Sequence, residues 1–108
     1  MNIAIPSEGQ KLTSLISSTL GKAPFIIIYN NQTTGFQSFA NLGFNLQDGS
    51  GLQAAEIITK NNVNVLLTKE IGRKAYSVLM KEHIDIHLLK TGGTIKSVIN
   101  KFLKEKGK

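Results

Sequence analysis

The sequence predicts a single α/β domain, residues 1–108, built on a mixed five-stranded sheet with helices packed against it. Two observations predict this class. In the second half of the chain, short apolar strands alternate with helical periodicity, the pattern of parallel strands joined by crossover helices. In the first half, three strands follow one another through turns and loops, which favours antiparallel pairing. The predicted element order is β-β-β-α-β-α-β-α.

The chain opens on a short apolar strand, Asn2–Ile5, which we expect to stop at Pro6 because proline donates no ladder hydrogen bond. Ser7-Glu8-Gly9 then makes a turn. Residues 10–24 have mixed composition and no sustained periodicity, so they are predicted to form a loop.

A hairpin follows this loop. Phe25–Tyr29 is aromatic, β-branched and apolar on both faces, so it is predicted to be a strand buried on both sides. Asn30-Asn31-Gln32 is a turn signal, and Thr33–Phe39 is a weaker second strand. Asn41–Gly49 is predicted to be a loop.

The first helix is predicted to start at Ser50, with Ser50 and Gln53 spaced as a capping box, and to end at Asn61-Asn62. Val63–Leu67 is then a strand. The predicted elements after it are a helix from Lys69 to about Glu82, a strand Ile84–Leu89, a tight turn Thr91–Thr94 and a third helix with the apolar stripe Ile95, Val98, Ile99, Phe102 and Leu103.

The composition excludes several classes of protein. The chain has no cysteine, so disulfide frameworks, thiolate-held iron–sulfur sites and cysteine nucleophiles are ruled out. It contains no 18-residue apolar run, so no transmembrane helix and no membrane partner are expected. The N-terminus lacks the basic head and apolar stretch of a signal peptide, so the predicted location is cytoplasmic.

Several strings spread along the chain together resemble the dinitrogenase iron–molybdenum cofactor biosynthesis family. They are Ile3-Ala4-Ile5-Pro6, Gly21-Lys22-Ala23-Pro24-Phe25, Gly49-Ser50-Gly51-Leu52-Gln53-Ala54-Ala55, Val63-Asn64-Val65-Leu66-Leu67 with Ile71-Gly72-Arg73-Lys74-Ala75, Ile84-Asp85-Ile86 and Gly93-Thr94-Ile95. The resemblance implies a ribonuclease-H-like three-layer fold with strand order 3-2-1-4-5. It also implies a role in binding or carrying an iron–molybdenum cofactor or another metal–sulfur cluster.

The chain departs from this family at the residues that would ligate a metal. Thr19 stands where the family often has a histidine, and the loop before the first helix offers only Asp48. The two histidines, His83 and His87, are separated by about 13 Å of extended chain. Because metal–sulfur clusters prefer thiolate or imidazole ligands, no metal ligand is assigned and the ligand is either a cluster or another anion.

Catalytic patterns are missing as well. The strands Asn2–Ile5 and Val63–Leu67 carry no carboxylate, which two-metal phosphodiester cleavage would require near the strand ends. The serines and histidines form no recognisable triad, and the chain has no Gly-x-Ser-x-Gly elbow. We therefore expect a non-enzymatic protein.

The carboxyl ends of the predicted parallel strands and the starts of the helices after them define a candidate anion site. Ligands of open α/β sheets bind at this edge, and helix N-termini attract anions through free N–H groups. Lys69 and Arg73 add positive charge there. The candidate ligand-binding residues are Ser7, Glu8, Lys22, Ser50, Gly51, Lys69, Arg73, Thr91, Gly92 and Gly93.

The net charge of +6 suggests an alternative function. Residues 90–108 hold six lysines against Glu105, mostly off the apolar stripe of the last helix. This charge is either a solvated helix face or a surface for a protein or weak nucleic-acid partner. Sequence-specific nucleic-acid recognition is not expected, because no aromatic residues alternate with the lysines and no helix-turn-helix pattern is present. The sequence therefore leaves three hypotheses: an anion or cluster carrier, an interaction module, and a protein that has lost the ligand site and keeps only partner binding.

Overall fold

The computed structural model describes residues 1–44 and 50–106. Its strands and helices follow the predicted order. The elements are β1 (Asn2–Ser7), β2 (Phe25–Asn30), β3 (Phe36–Ala40), α1 (Ser50–Lys60), β4 (Val65–Thr68), α2 (Arg73–Lys81), β5 (Asp85–Leu88) and α3 (Ile95–Lys106). No helix in these ranges combines the length and apolar character needed to cross a membrane.

The five strands form one mixed sheet in the order β3-β2-β1-β4-β5, which confirms the order implied by the resemblance. β2 pairs antiparallel with both β1 and β3, as predicted for the hairpin half of the chain. β4 pairs parallel with β1 and with β5, as predicted for strands joined by crossover helices. The antiparallel and parallel halves meet at β1, in the middle of the sheet.

Side chains of the central strands point alternately to the two faces of the sheet and pack into two separate cores, so the fold has three layers. On one face, Ala4, Ile26 and Leu66 pack with apolar residues of α1 and α2. On the other face, Ile5 and Ile27 pack with α3. The prediction that β2 is buried on both faces is thereby confirmed.

The predicted end of the first strand at Pro6 is wrong, because β1 continues to Ser7 and Pro6 pairs with Ile26. The carbonyl of Pro6 accepts a hydrogen bond of 2.9 Å from the N–H of Ser17, which lies away from β2. In a strand, the N and the carbonyl of one residue face the same side. The missing N–H of Pro6 therefore faces the loop, and the ladder with β2 keeps all its donors.

The second helix also begins later than predicted, at Arg73 instead of Lys69. Glu70 pairs with the loop after β1: its N–H donates to the carbonyl of Ser18 (2.9 Å), and its carbonyl accepts from Leu20 N–H (3.3 Å). This pairing takes the backbone groups that a helical turn would use. The sequence gives no local sign of it, because the partner lies about fifty residues away.

Helix α1 starts and ends where the sequence places it, but not with the predicted capping box. Ser50 is already the first residue of the helix, and the Gln53 side chain lies over Gly43. At the other end, Asn61 Nδ2 donates to the carbonyl of Ile57 (2.6 Å), and Asn62 adopts a positive φ of 54°. These two asparagines terminate the helix as predicted. Of the predicted loop Asn41–Gly49, residues 45–49 lie outside the described residues.

Candidate functional site

Residues 8–24, here called the crossing loop, run across the carboxyl ends of the parallel strands. The loop makes three isolated bridges, Ser7 with Ile16, Leu15 with Thr94, and Thr19 with Glu70. It thereby touches the end of β1, the start of α3 and the segment before α2 in turn. Because the chain leaves β1 and β4 in opposite directions along the sheet, the loop covers the topological switch point, where ligands of such sheets bind.

Ser7 and Glu8 lie at the start of the crossing loop. Ser7 is fully buried, and its Oγ donates to the carbonyl of Gly9 (2.7 Å) and accepts from Gly9 N–H (3.2 Å). Glu8 is exposed, and its N–H donates to the carbonyl of Leu15 (2.9 Å). The Ser7 hydroxyl therefore shapes the turn, and Glu8 is the member of this pair that faces solvent.

The turn before α3 consists of Thr91, Gly92 and Gly93. The first N–H groups of α3 already donate to acceptors within the protein. Ile95 N–H donates to the carbonyl of Ser14 (2.9 Å), and Lys96 N–H donates to the carbonyl of Leu12 (2.9 Å). Ser97 N–H donates to Thr94 Oγ1 (3.1 Å). The crossing loop thus caps α3, and the exposed 91–93 turn has no free helix donors behind it.

Lys22, Ser50 and Gly51 come together where the crossing loop meets α1. A Cβ added at Gly21 would lie 2.6 Å from Ser50 Oγ and 2.8 Å from Gly51 N, so only glycine fits there. Lys22 is exposed beside this contact, and Ser50 is buried. The loop therefore carries Lys22 to the first turn of α1.

Lys69 and Arg73 flank the start of α2, and residues 69–74 are here called the α2 entrance. Gly72 caps α2 without a side-chain hydrogen bond, and the first turn contains no acidic residue. In the described chain, no acceptor pairs with the N–H groups of Arg73, Lys74 or Ala75. With Glu70 counted against Lys69, Arg73 and Lys74, the formal charge of this segment is +3 − 1 = +2. Such a helix start is a natural binding site for an anion.

The starts of α1 and α2 are adjacent. A Cβ added at Gly51 would lie 3.2 Å from the Cβ of Ala75, in the first turn of α2. The structure thus brings five of the ten predicted residues to neighbouring positions, and it places the 91–93 turn with α3 instead. The five are Lys22, Ser50, Gly51, Lys69 and Arg73.

The described residues hold no ligand set for a metal. Within 1–44 and 50–106, no group of three His, Cys, Asp or Glu side chains is positioned to bind an ion. His83 lies in a positive-φ turn after α2, and His87 Nε2 donates to Asp85 Oδ2 on β5 (3.0 Å). Thr19, at the family's frequent histidine position, pairs with Glu70 of the α2 entrance. The position is therefore beside the candidate site, but its side chain is a poor ligand for a soft metal.

Sequence reasoning missed two features of this region. Lys74 belongs to the first turn of α2, and the predicted earlier helix start hid that position. A cavity of about 390 Å³ lies between β5 and α3, and of the ten predicted residues only Thr91 lines it. The sequence does contain a signal for it. Side chains of a strand alternate between the two faces of the sheet, and this alternation in β5 puts His87 on the face covered by α3.

The fold and this edge together define a class: small α/β proteins with a three-layer mixed sheet and a basic, ligand-accessible helix start. Within that class, the chain belongs to the family described as dinitrogenase iron–molybdenum cofactor, whose family model matches residues 1–105. The resemblance seen in the sequence is thereby confirmed.

Known proteins of similar sequence and structure cover nearly the whole chain. An uncharacterised protein of Methanocaldococcus jannaschii is 29% identical over 106 residues, which are 98% of this chain and 88% of that protein. The apo form of the orange protein from Desulfovibrio gigas is similar in structure, with a TM-score of 0.90 at 28% identity, over 96% of this chain and 88% of that one. A NifB-like Thermotoga protein of the DUF35 family aligns with a TM-score of 0.84 at 25% identity, over 95% of this chain and 87% of that one.

Proposed function

We propose that this protein is a non-enzymatic, cytoplasmic carrier that binds an anionic ligand at the α2 entrance. The observation that carries the proposal is the open first turn of α2, where three N–H groups have no acceptor in the described chain and Arg73 and Lys74 add charge. A helix start of this kind takes its acceptors from capping side chains, from water or from a ligand, and here no capping or acidic side chain competes with a ligand.

An anionic metal–sulfur species is the ligand class that the family suggests. Since the chain has no cysteine, and since no described group of side chains could hold an ion, such a species would be carried as cargo. N–H groups and cations would hold its sulfides or oxygens from outside, with no direct bond from protein to metal. The same groups would accept an oxyanion, so the experiment must separate the two.

The test is an anaerobic titration of the full chain with tetrathiomolybdate, a molybdenum–sulfur dianion, and with molybdate. We expect saturable binding of the thioanion and a change in its visible absorption. Arg73→Gln should weaken binding about tenfold or more, because a hydrogen bond to a charged group contributes about 1.5–3 kcal/mol. Molybdate that binds more tightly than the thioanion would assign the site to oxyanions.

Lys81→Gln is the matched control, since Lys81 is exposed at the opposite end of the same helix. It removes one positive charge without touching the first turn. Equal weakening by Arg73→Gln and Lys81→Gln would show that only net charge matters. No saturable binding of either anion would contradict the proposed function.

The second candidate is an interaction module on α3, favoured by the lysines on its exposed side. Lys96, Lys101, Lys104 and Lys106 are exposed, and none forms an ion pair with a carboxylate within the described ranges. Binding of an RNA or DNA oligonucleotide that falls steeply with salt would support this candidate. If binding persists in a chain truncated after Asn100, the lysines of α3 beyond that residue are not the binding surface.

A further inference from the structure

The cavity between β5 and α3, here called the β5–α3 cleft, lies apart from the α2 entrance. It is lined by Leu67, His87, Leu88, Leu89, Lys90, Thr91, Val98, Lys101, Phe102 and Glu105. Its volume of about 390 Å³ falls in the range of small-molecule sites. The cleft lies where β4 and β5 end, which is also the edge where ligands bind in open sheets.

The floor of the cleft is apolar and held in place. Leu67 and Val98 are buried in the core under α3, and Leu89 and Phe102 pack against that core. The ring of His87 meets the ring of Phe102 edge to face, with centroids 5.0 Å apart and planes at 73°. The imidazole also forms a 3.0 Å hydrogen bond with Asp85 Oδ2. A ligand would therefore meet an apolar surface that is packed against the core and bordered by two rings in contact.

The rim of the cleft carries a net positive charge. Lys90 and Lys101 line it against Glu105. Lys106 Nζ lies 5.9 Å from the centroid of the Phe102 ring, and Asp85 pairs with His87. The formal charge of these lysines and carboxylates is +3 − 2 = +1. Within the described chain neither Lys90 nor Lys101 forms an ion pair, even though Glu105 is one helical turn from Lys101. Thr91 adds a hydroxyl at the same rim.

We propose that the β5–α3 cleft binds a small amphipathic monoanion, whose carboxylate or similar head lies at Lys90 and Lys101 and whose apolar body lies on Phe102 and Val98. The charge of the rim selects the anionic head, and the volume of the cleft limits the body to an aryl or short acyl group. This site is independent of the anion site at the α2 entrance, so either can fail without the other.

The test is a nuclear magnetic resonance titration of the full chain with 3-phenylpropionate and with hexanoate. We expect saturable shifts of the His87, Val98 and Phe102 signals with at least one acid. The neutral isostere 3-phenylpropanamide should bind about fivefold more weakly than its acid, the scale of one exposed ion pair. Inorganic phosphate, which has no apolar body, should leave these signals in place.

Two variants assign the head group. Lys101→Gln should abolish most of the preference for acid over amide, and Lys104→Gln should preserve it, since Lys104 lies on the same helix outside the cleft. The spectrum of each variant shows whether the fold is retained. The proposal is overturned if neither acid gives saturable shifts, if acid and amide bind equally, or if the two variants behave alike.

Discussion

At the scale of single residues, Asn41 holds the crossing loop to the end of β3. It is buried, and its Nδ2 donates to the carbonyls of Leu20 (3.4 Å), Gly21 (3.3 Å) and Ala23 (2.8 Å). Asn41→Asp would replace this donor with an oxygen facing three carbonyl oxygens. We expect a loss of about 2–4 kcal/mol in the free energy of unfolding, from unpaired buried acceptors and a buried carboxyl group.

Urea denaturation measures this loss. Asn100→Asp is the control, because Asn100 is exposed on α3 and the same change there leaves the core untouched. Equal midpoints for the two variants would show that the Asn41 amide does not hold the loop.

Glu56 predicts a pH dependence at the same scale. Its pKa is lowered by a hydrogen bond from Lys60 and by the charge of Lys60, whose Nζ lies 2.6 Å from Glu56 Oε1. A carboxyl group with a lowered pKa stabilises the fold above its unfolded-state pKa, and this contribution is lost as the pH falls through the folded-state pKa. Glu56→Gln should therefore make the acid limb of the stability curve shallower.

The measurement is the unfolding midpoint of wild type and Glu56→Gln across the acid range. Glu82→Gln is the control, since Glu82 takes part in none of the ion pairs among the described residues. Because the pair is exposed, the effect is small, and parallel acid limbs for wild type and Glu56→Gln would contradict it.

At the scale of elements, the contact between the crossing loop and α1 depends on Gly21. A Cβ at this position would meet the backbone N of Gly51 at 2.8 Å, and a helix backbone cannot rotate away as a side chain can. We expect Gly21→Ala to destabilise the protein by about 1–3 kcal/mol, the usual cost of overpacking. Thermal unfolding measures it.

The matched control is Gly92→Ala, because nothing lies within 4 Å of a Cβ added there. That change should leave stability within about 1 kcal/mol of wild type. If the Gly21→Ala protein is as stable as the Gly92→Ala protein, the loop and α1 separate easily. That result would contradict the inclusion of Lys22 in the candidate site.

The elements also show how far the sequence determines this fold. The local hydrophobic pattern was enough to predict β2 and the apolar stripe of α3, because the apolar residues of each pattern are the ones that pack in the core. Strand order came from the family resemblance, because periodicity does not specify neighbours. The boundary at Lys69 was wrong because Glu70 pairs with the crossing loop, a long-range contact. The boundary at Pro6 was wrong because its missing N–H faces away from β2, so the ladder with β2 continues to Ser7. The candidate site inherits this limit: Arg73 was predicted, but its place as the first residue of an open α2 was not.

At the scale of the whole molecule, the central strands β1, β2 and β4 are shared by both cores, while β3 and β5 are edges. Ile3, Ala4 and Ile5 are fully buried, whereas three of the four residues of β5 are exposed. Neither helix layer can leave without exposing one face of these central strands. The cost of opening should therefore rise from the edges of the sheet to its centre.

Native-state hydrogen exchange in rising denaturant tests this gradient. We expect the amides of β1 and β2 between Ile3 and Ile28 that pair within the ladder to exchange only through global unfolding, with the full denaturant dependence of the protein. Amides of β5 should exchange through smaller openings with a weak dependence. Helix α2 connects the α2 entrance to β5. If anion binding at that entrance slows amide exchange in β5 but not in β1, the bound anion stabilises the β5 edge locally through α2. A uniform denaturant dependence from β1 to β5 would instead show that the sheet opens only as one unit.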